Sequence, residues 1–373
     1  MMKRTQSSEY MHWAKTLQAA RFNLANSGVF AMPLRELPVT LEDLELSGPS
    51  FYGWPPLQAA LAKHLNVAPE CLVHAVGTSL ANHLAMAVCI QPGDDVLIEQ
   101  PTYELLISAA EYLGANVRRL PRSPEQRFGI DIGLLERSLT PRTRLIVLTN
   151  LHNPSSALLD RTTLLRISEL ARSVGARVLV DEVYLDAVAL AQATNDRPAL
   201  ATAFGIADNI LVTSSLTKVY GLSGIRCGWV LATPDLAERM WRLNDLFGVI
   251  PAHAAERLSL VVLNNFERVT ARARALLNTN RAALNSFLAS REDLESWPLE
   301  AGTVVFPRLR SGKVTELCSV LRERYETTVV PGHFFEMPDR IRIGIGASAE
   351  ITAEGLRRLG AALDAMKVQS MYR

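Results

Sequence analysis

Short apolar runs that alternate with helix-like stretches are the feature of this sequence that most restricts its fold. The runs lie near residues 73, 96, 145, 178, 210 and 229. Between two of them, Thr162 to Val174 has the spacing of an amphipathic helix. Such alternation is typical of an α/β fold in which helices cover both faces of a mostly parallel sheet. We therefore predict one large α/β domain over residues 45–255.

The rest of the chain predicts a smaller α+β domain, formed by residues 1–44 and 256–373 together. A chain of 373 residues is long enough for two domains with full cores. The stretch from Ala255 to Ser290 predicts one or two long helices that cross into this second domain. Its further predicted elements are strands near residues 303–308, 327–330 and 340–346 and helices at residues 313–325 and 352–367.

A helix pattern also occurs near the N-terminus, from Glu9 to Ala20, with Trp13 and Leu17 on one face. An apolar helix face has to be covered by another element. We expect this helix either to pack on the core of the small domain or to cover the functional site.

Charge and composition exclude several classes of function. The chain has 39 Lys and Arg residues against 38 Asp and Glu, and no basic block stands out. Nucleic-acid binding therefore has no electrostatic support. The four cysteines lack the spacing of a zinc site or a disulfide framework, and the seven histidines form no cluster of ligands. We expect no metal.

Targeting signals are also missing from the sequence. No apolar run approaches the ~18 residues that a membrane-spanning helix needs. The stretch from Met1 to Glu9 has charges but no apolar core behind them, unlike a secretory signal. We expect no membrane association and a reducing, cytoplasmic location.

Lys218 lies in the stretch Ser214–Gly228, which carries most of the chemical information in this chain. It follows a predicted buried strand at residues 209–213, where a charged amine is costly unless it is neutralised or used. An amine with a lowered pKa attacks carbonyl groups to form a Schiff base. Ser215, Thr217 and Arg226 offer donors and a charge for a phosphate. The pattern indicates a pyridoxal phosphate site, the alternative being a surface loop.

Other polar residues follow neighbouring predicted strands. Asp181 ends the run at residues 176–180, Tyr184 comes three residues later, and Asn153 follows the run at residues 145–149. Open α/β sheets bind ligands at the carboxyl ends of their parallel strands. Each residue alone has a structural interpretation, a turn at Asn153 and a helix N-cap at Asp181. Their joint arrival beside Lys218 predicts a site.

With these blocks the chain resembles the class I and II aminotransferases, the aspartate-aminotransferase-like group of pyridoxal phosphate enzymes. The family's Asn-Pro, Asp-x-x-Tyr and Ser-x-x-Lys…Arg blocks occur here in order, and the likeness covers roughly residues 22 to 365. The resemblance implies that Lys218 carries the cofactor as a Schiff base and that Asp181 pairs with the pyridine nitrogen. The remaining implied contacts are Tyr184 and Asn153 to the phenolic oxygen, and Ser215 and Arg226 to the phosphate.

Two further blocks agree with the resemblance. Thr78 and Ser79 precede a helical stretch and are similar to the family's phosphate loop, where amides at a helix start meet the anion. Tyr103 matches the aromatic residue that stacks on the cofactor ring. The structural alternatives are a plain N-cap for the first pair and a core tyrosine for Tyr103.

The resemblance also implies where a substrate carboxylate binds. Arg342 matches the family arginine that grips the α-carboxylate, and Arg340 is the alternative on the same strand. Asn153 would also contact the substrate. Gly28 resembles the position at which the backbone approaches that carboxylate.

The sequence departs from the family at two places. Ser156 stands where the family often has glycine, so that turn is expected to differ. Position 48, where a tyrosine usually reaches the partner's phosphate, is Gly48. Tyr52 is a possible substitute within the segment Ser47–Trp54. The family implies a homodimer.

The implied reaction is transfer of an amino group between an L-amino acid and a 2-oxo acid. The alternatives are another pyridoxal phosphate reaction, namely β-elimination, decarboxylation or oxidation, or a non-catalytic ligand sensor. The substrate stays open. A distal carboxylate would need a second cation, for which Arg35, Arg257 and Arg340 are candidates. Trp54, Phe334 and Phe335 leave an aromatic or large apolar substrate open.

Overall fold

The computed structural model describes residues 7–17, 19–49, 51–192 and 202–371. Residues 1–6, which belong to the segment tested for a secretory signal, lie outside the described residues, as do Gln18 of the predicted N-terminal helix and Ser50 of the segment Ser47–Trp54. In chain order the strands are β1 (Phe22–Asn23), β2 (Leu72–Val76), β3 (Asp95–Gln100), β4 (Asn116–Pro121), β5 (Thr143–Thr149), β6 (Arg177–Asp181), β7 (Ile210–Ser215), β8 (Cys227–Leu231), β9 (Leu294–Glu295), β10 (Val304–Val305), β11 (Arg308–Leu309), β12 (Thr327–Thr328), β13 (Val330–Pro331) and β14 (Ile341–Gly344).

Helices account for most of the remaining regular structure, and several begin at the caps that the sequence provides. Asp131 and Asp160 precede α5 and α6, defined below, and their carboxylates accept bonds from backbone N–H groups three residues later. In chain order the helices are α1 (Glu9–Thr16), α2 (Pro55–Leu65), α3 (Gly77–Cys89), α4 (Glu104–Tyr112), α5 (Ile132–Ser138), α6 (Arg161–Ser173), α7 (Asp186–Ala191), α8 (Pro234–Asn244), α9 (His253–Asn264), α10 (Phe266–Ala289), α11 (Val314–Tyr325) and α12 (Ala349–Met371).

The large sheet has the strand order β2-β8-β7-β6-β5-β3-β4. Strand β8 is antiparallel to β2 and β7, and the other pairs are parallel. The register aligns Thr149 at the end of β5 with Asp181 at the end of β6, and Asp181 with Thr213 in β7. Because these strands run in the same direction, their carboxyl ends meet at one edge of the sheet.

Both faces of this sheet are buried, as expected for parallel strands covered by helices. Successive residues of a strand point to opposite faces. On β5, Ile146 and Leu148 belong to one core cluster, while Leu145 and Val147 belong to the other. The second cluster includes residues of α3 and α8, so these helices cover one face. The first includes residues of α6 and α10, which cover the opposite face.

The small strands and the C-terminal helices form a second group of elements. Strand β14 pairs antiparallel with β10 and β13, and β9 pairs with β11. The N-terminal segment joins this group because β1 pairs in parallel with β12, placing Phe22 opposite Thr327. Helix α12 contacts both β1 and α11. The chain from α1 to β1 therefore lies against the C-terminal part.

The predicted α/β class, with a mostly parallel sheet between helices, is confirmed. Each of the six apolar runs contains a strand of the large sheet. Strand β4 was not predicted, because its polar sequence fits an edge strand with only one neighbour. The predicted helix from Glu9 to Ala20 ends at Thr16, and the long helical stretch is divided into α9 and α10. The division into domains at residues 45 and 255 stays a prediction.

Neither a membrane-spanning helix nor a metal-binding cluster occurs among the described residues. No helix there is long and apolar enough to cross a bilayer. In the same ranges, no three His, Cys, Asp or Glu side chains come together in a way that could hold a metal ion.

A buried ion pair between Glu99 and Arg122 connects the ends of β3 and β4. Arg122 Nη1 donates to Glu99 Oε2 at 2.6 Å, and both side chains are fully buried. The other carboxylate oxygen accepts from the backbone N–H of Thr149 at 2.8 Å and from its hydroxyl at 2.5 Å. Burial raises the pKa of Glu99, and Arg122 opposes that shift. The ion pair thus fixes the end of β5.

We predict that Arg122→Met lowers the free energy of unfolding by about 3–5 kcal/mol, because it leaves the Glu99 charge buried without a partner. Arg119→Met, three residues earlier on β4, is the matched control. Arg119 pairs with the half-exposed Glu336, so its loss should cost about 1 kcal/mol or less. Urea unfolding measures both values. Equal losses in the two variants would contradict the importance of the buried pair.

Candidate active site

A cavity of about 280 Å³ opens at the carboxyl edge of the large sheet. Elements far apart in sequence contribute to its wall: α1, the segment after β1, the start of α3 and the ends of β5, β6 and β7. Besides Tyr10, Tyr103 and Tyr184, its polar and charged lining residues are Asn26, Ser27, Thr78, Ser79, Asn82, Thr149, Asn153, Asp181, Thr217, Lys218, Ser223 and Arg226.

One end of the cavity is a cradle of hydroxyl groups beside the start of α3. The Thr78 hydroxyl donates to Ser215 Oγ at 2.8 Å, and Ser215 Oγ lies 2.7 Å from Thr217 Oγ1. Helix α3 has 13 residues and starts at Gly77, so its first N–H groups and its positive dipole end are found here. Hydroxyls, amides and a helix N-terminus together suit a phosphate group.

Arg226 supplies the cationic side of this cradle. Its guanidinium donates to the backbone oxygen of Ser223 at 3.2 Å. Gly77 has φ +75°, and a Cβ at this position would collide with the Arg226 guanidinium. Glycine suits this position for two reasons: the backbone is left-handed, and the Arg226 guanidinium comes close to the Cα atom. These contacts hold a positive charge next to the free amides of α3.

Lys218 lies on the cavity wall after β7, and burial lowers the pKa of its amine. The backbone N–H of Val29 donates to the Lys218 carbonyl at 2.7 Å. A Cβ on Gly28 would lie 3.3 Å from Lys218 Cδ, so the glycine brings the N-terminal segment close to the lysine stem. A neutral amine is available to a greater extent near pH 7 than it would be for an exposed lysine.

Asp181 is buried at the end of β6, and it is held by two donors. Asn82 Nδ2 donates to Oδ2 at 2.8 Å, and the backbone N–H of Val183 donates to Oδ1 at 3.0 Å. The Thr213 hydroxyl donates to Asn82 Oδ1 at 2.6 Å, which orients the amide toward the carboxylate. Burial raises the pKa of Asp181 to about 6, although Asn82 acts to lower it. Above that pH the carboxylate can hold a proton on a cationic partner.

A second hydrogen-bond chain leads from the buried ion pair to Arg342. Thr149, which donates to Glu99, accepts at its own hydroxyl oxygen from the backbone N–H of Asn153 at 3.0 Å. Asn153 Oδ1 accepts from Arg342 Nη1 at 3.1 Å. Arg342 Nη2 donates to the Ala25 carbonyl at 2.9 Å, and the side chain is buried. These bonds hold the guanidinium behind the cavity wall, in contact with the lining residues Asn153 and Ala25.

The two predicted tyrosines also reach the cavity. The Tyr184 hydroxyl donates to Ser27 Oγ at 2.8 Å, and burial raises the pKa of Tyr184. Tyr103 lines the cavity between α1 and α4, and its hydroxyl lies 3.3 Å from the sulfur of Met11. Burial raises the pKa of Tyr103 as well. Both phenols therefore stay protonated at neutral pH and can donate hydrogen bonds.

The departures from the family at Ser156 and near Tyr52 have defined contacts in the structure, and a role for Tyr52 at a partner's phosphate stays a prediction. Ser156 adopts the left-handed conformation with φ 62°, and its hydroxyl donates to the Val304 carbonyl at 2.7 Å. A left-handed non-glycine residue costs about 1–2 kcal/mol, which this bond offsets in part. The Tyr52 hydroxyl donates to Asp245 Oδ2 of the same chain at 3.1 Å, and its ring packs on Trp241.

The structure brings most of the predicted site residues to one cavity. Thr78, Ser79, Tyr103, Asn153, Asp181, Tyr184, Lys218, Arg226 and Gly28 line it, and Ser215 and Arg342 are hydrogen-bonded to lining residues. Arg340 is directed elsewhere: its Nη1 donates to the Phe306 carbonyl at 2.9 Å, and it stacks on Phe128.

The residues considered for a substrate side chain lie outside this lining. Arg257 stacks on Trp54, and Arg35 belongs to a short 3₁₀ helix at Leu34–Glu36. Phe334 and Phe335 pack around Tyr10, behind the cavity wall. The lining of the cavity in the described part of the chain therefore has Lys218 and Arg226 as its cations.

Sequence reasoning missed Asn82, Thr149 and Tyr10. Asn82 is the fifth residue after Gly77 on α3, and its spacing to Asp181 follows from the strand order rather than from any motif. In the sequence, the position of Thr149 indicates only the end of a strand. Tyr10 precedes Trp13 by three residues, so the same helix face signals its burial.

Comparisons with known proteins agree with this geometry. The pattern of the family described as "Aminotransferase class I and II" matches residues 44–362. Capreomycidine synthase from Streptomyces vinaceus is 31% identical over 350 residues, which are 90% of this chain and 88% of that protein. A probable N-succinyldiaminopimelate aminotransferase from Mycobacterium tuberculosis is 30% identical over 301 residues, 75% of this chain and 72% of that protein.

A solved structure has the same fold. The PLP-dependent aminotransferase from Streptococcus suis 89-1591 superposes with a TM-score of 0.88 over 97% of this chain and 99% of that chain. The sequences are 24% identical. At that identity the likeness establishes a shared fold.

We predict that Asn82→Leu raises the pKa of Asp181, because the change removes a hydrogen bond that favours the carboxylate. The acid limb of pyridoxal phosphate binding should therefore move to higher pH, by about 1 pH unit for a lost charge-assisted bond. Equilibrium binding to the apoprotein between pH 5 and 8 measures the shift. Thr213→Val, which leaves Asn82 in place but removes its anchor, should give a smaller shift in the same direction. Unchanged pH profiles in both variants would contradict the assigned hydrogen-bond chain.

Proposed function

This chain belongs to the class I and II aminotransferase family, and we propose that it transfers an amino group between an L-amino acid and a 2-oxo acid. The family uses pyridoxal 5′-phosphate, which supplies a reactive aldehyde and an aromatic ring that draws electrons from the substrate α-carbon. The observation that carries the proposal is the shared cavity of Lys218, Asp181 and Arg226, with Arg342 beside it.

The residues of the cavity fit this cofactor group by group. Thr78, Ser79, Ser215 and Arg226, with the amides of α3, would hold the phosphate, because a cradle of donors and one cation matches a dianion. Asp181 would hold a proton on the pyridine nitrogen, since its carboxylate is ionised above a pKa of about 6.

Other contacts would fix the plane of the cofactor. Tyr184 and Asn153 would contact the phenolic oxygen, and Tyr103 would stack on the ring. The bond from Tyr184 to Ser27 and the bond from Arg342 to Asn153 support this arrangement, because each holds its side chain on the cavity wall.

Lys218 would move the proton during the reaction. Burial lowers the pKa of its amine, so a larger share of it is neutral and able to act as a base near pH 7. Nζ of Lys218 would take the proton from the substrate α-carbon and then deliver it to the cofactor. The second half of the reaction would use the same residues in reverse, in ping-pong order.

Arg342, Asn153 and Gly28 would hold the substrate. A guanidinium makes two parallel hydrogen bonds with a carboxylate, and the hydrogen-bond chain from Glu99 through Thr149 keeps Asn153 and Arg342 in place. A distal carboxylate would need a further cation, and Arg35, Arg257 and Arg340 have other partners or positions. We therefore propose a donor amino acid whose side chain carries no carboxylate.

A second candidate function is favoured by one comparison. The relative at 31% identity is named a capreomycidine synthase, so its printed name is not that of an aminotransferase. The site residues proposed above serve several pyridoxal phosphate reactions equally well. Elimination, decarboxylation, oxidation or ring formation on an amino acid would therefore use the same cavity.

We predict equimolar amino transfer in a donor screen. The holoenzyme is incubated with single L-amino acids and with pyruvate or 2-oxoglutarate, and oxo acid, new amino acid, ammonia and carbon dioxide are quantified. One new amino acid should form per donor consumed, without ammonia, and neutral donors should react faster than aspartate. Lys218→Ala is the inactive control. If the donor is consumed without an oxo acid, or if ammonia or carbon dioxide is released, the second candidate function applies and amino transfer is contradicted.

We also infer a homodimer. Apolar side chains are exposed in the two stretches that meet where Tyr52 bonds to Asp245 after α8: Phe51, Leu246, Phe247 and Val249 are 57%, 77%, 57% and 60% exposed. Gly48 and His253 are in contact there, which joins the two segments. An apolar patch of this kind is typical of a protein interface. Other family members form dimers whose sites lie near the interface.

At micromolar concentration, sedimentation should give about twice the mass of one chain, as for a symmetric dimer. Phe247→Glu combined with Val249→Glu should shift the protein toward the monomer, because each change places a charge in the apolar patch. Leu165→Glu, at an exposed apolar residue of α6, is the matched control and should stay dimeric. A wild-type monomer with full activity would contradict the inferred interface.

A further inference from the structure

Tyr10 on α1 is a polar group of the cavity that takes part in none of the proposed cofactor and substrate contacts. Its side chain is buried and lines the cavity together with Met11 and Ala14 of the same helix. Its hydroxyl oxygen accepts a hydrogen bond of 2.9 Å from Arg342 Nη2. The arginine also lies 5.7 Å from the centre of the Tyr10 ring. The N-terminal helix therefore touches the group that would bind the substrate carboxylate.

The direction of that hydrogen bond leaves the Tyr10 proton available. A guanidinium has donors and no acceptor, so Tyr10 must accept, and its own O–H must point elsewhere. Among the described contacts, no hydrogen bond donated by this hydroxyl is seen. Tyr10 and Lys218 line the same cavity. The O–H of Tyr10 is therefore available as a donor to a ligand in the cavity that Tyr10 and Lys218 both line.

The ring is held rigidly in this position by an aromatic cluster. Tyr103 and Phe334 meet Tyr10 edge-on, with ring centres 5.6 and 5.5 Å away. Trp13 and Phe335 complete the cluster at 6.2 and 5.9 Å. A side chain that is already fixed loses little conformational entropy when a ligand binds. The hydroxyl is therefore a preorganised donor at the carboxylate end of the cavity.

We propose that Tyr10 is a substrate-binding residue, whose hydroxyl donates a hydrogen bond to the same carboxylate that Arg342 binds. The proposal rests on the assignment of Arg342 as the carboxylate site. Arg342 and Tyr10 together would give the carboxylate a cation and a neutral donor, and the bond from Arg342 to Tyr10 polarises the O–H and strengthens its donation. Helix α1 is then part of the substrate site and a determinant of specificity for carboxylates.

The test compares two ligands of similar shape on the cofactor-loaded protein. The first is 2-methylalanine, which has the amino and carboxylate groups but no α-proton to lose. The second is tert-butylamine, in which a methyl group replaces the carboxylate. Titration followed by the cofactor's absorbance gives both dissociation constants, since neither ligand has an α-proton to lose.

Tyr10→Phe should weaken the binding of 2-methylalanine roughly 10-fold, the effect of one hydrogen bond to a charged group. Binding of tert-butylamine should stay within about two-fold, because the ring contacts of α1 are retained. Arg342→Lys should give a larger loss for 2-methylalanine only. Trp13→Phe is the matched control: it alters the same aromatic cluster without touching Arg342, and both constants should stay unchanged.

Two results would overturn the proposal. Equal weakening of both ligands in Tyr10→Phe would mean that Tyr10 only anchors α1. Unchanged binding of 2-methylalanine would mean that Tyr10 makes no bond to the carboxylate, and tighter binding would mean that Tyr10 competes with it. Both results are independent of the reaction type. A wild-type protein that fails to transfer amino groups, yet shows the carboxylate-specific loss in Tyr10→Phe, retains this inference and loses only the proposed reaction.

Discussion

The parallel register of β5, β6 and β7 is the constraint on which the whole site depends. It places Thr149, Asp181 and Thr213 side by side at the carboxyl edge of the sheet. Asp181 is then within reach of Asn82, and Thr149 within reach of both Glu99 and Asn153. A shift of one residue in one of these strands would turn the side chains of that strand to the opposite face. The sheet therefore sets the geometry before any ligand binds.

Buried charges give this geometry its chemistry. Water is largely excluded from the ends of the strands, so burial lowers the pKa of Lys218 and raises that of Asp181. The opposite shifts yield an amine with base character and a carboxylate close to its titration range, on two sides of one cavity. Glu99 and Arg122 neutralise each other deeper in the protein. They form the fixed end of the series of hydrogen bonds that runs through Thr149 and Asn153 to Arg342.

Much of this arrangement could be predicted from the sequence, because it follows the ends of apolar runs. Asp181 and Lys218 were recognisable since a polar residue after a buried parallel strand has few structural explanations. Strand β4 was not, because an edge strand tolerates polar residues on both sides. Asn82 and Tyr10 escaped detection for another reason. Their partners are 99 and 332 residues away, and hydrogen bonds over such separations leave no local pattern.

We propose Lys218 as the residue that carries the cofactor, and the proposed function depends most directly on this assignment. Borohydride reduction of the purified holoprotein, followed by proteolysis and mass spectrometry, identifies the lysine that becomes covalently labelled. We expect the added mass of the cofactor on the peptide that contains Lys218. This label should be absent in Lys218→Ala. A label on another residue, such as Lys63 or Lys313, or an unlabelled wild-type protein that still catalyses amino transfer, would contradict the assignment.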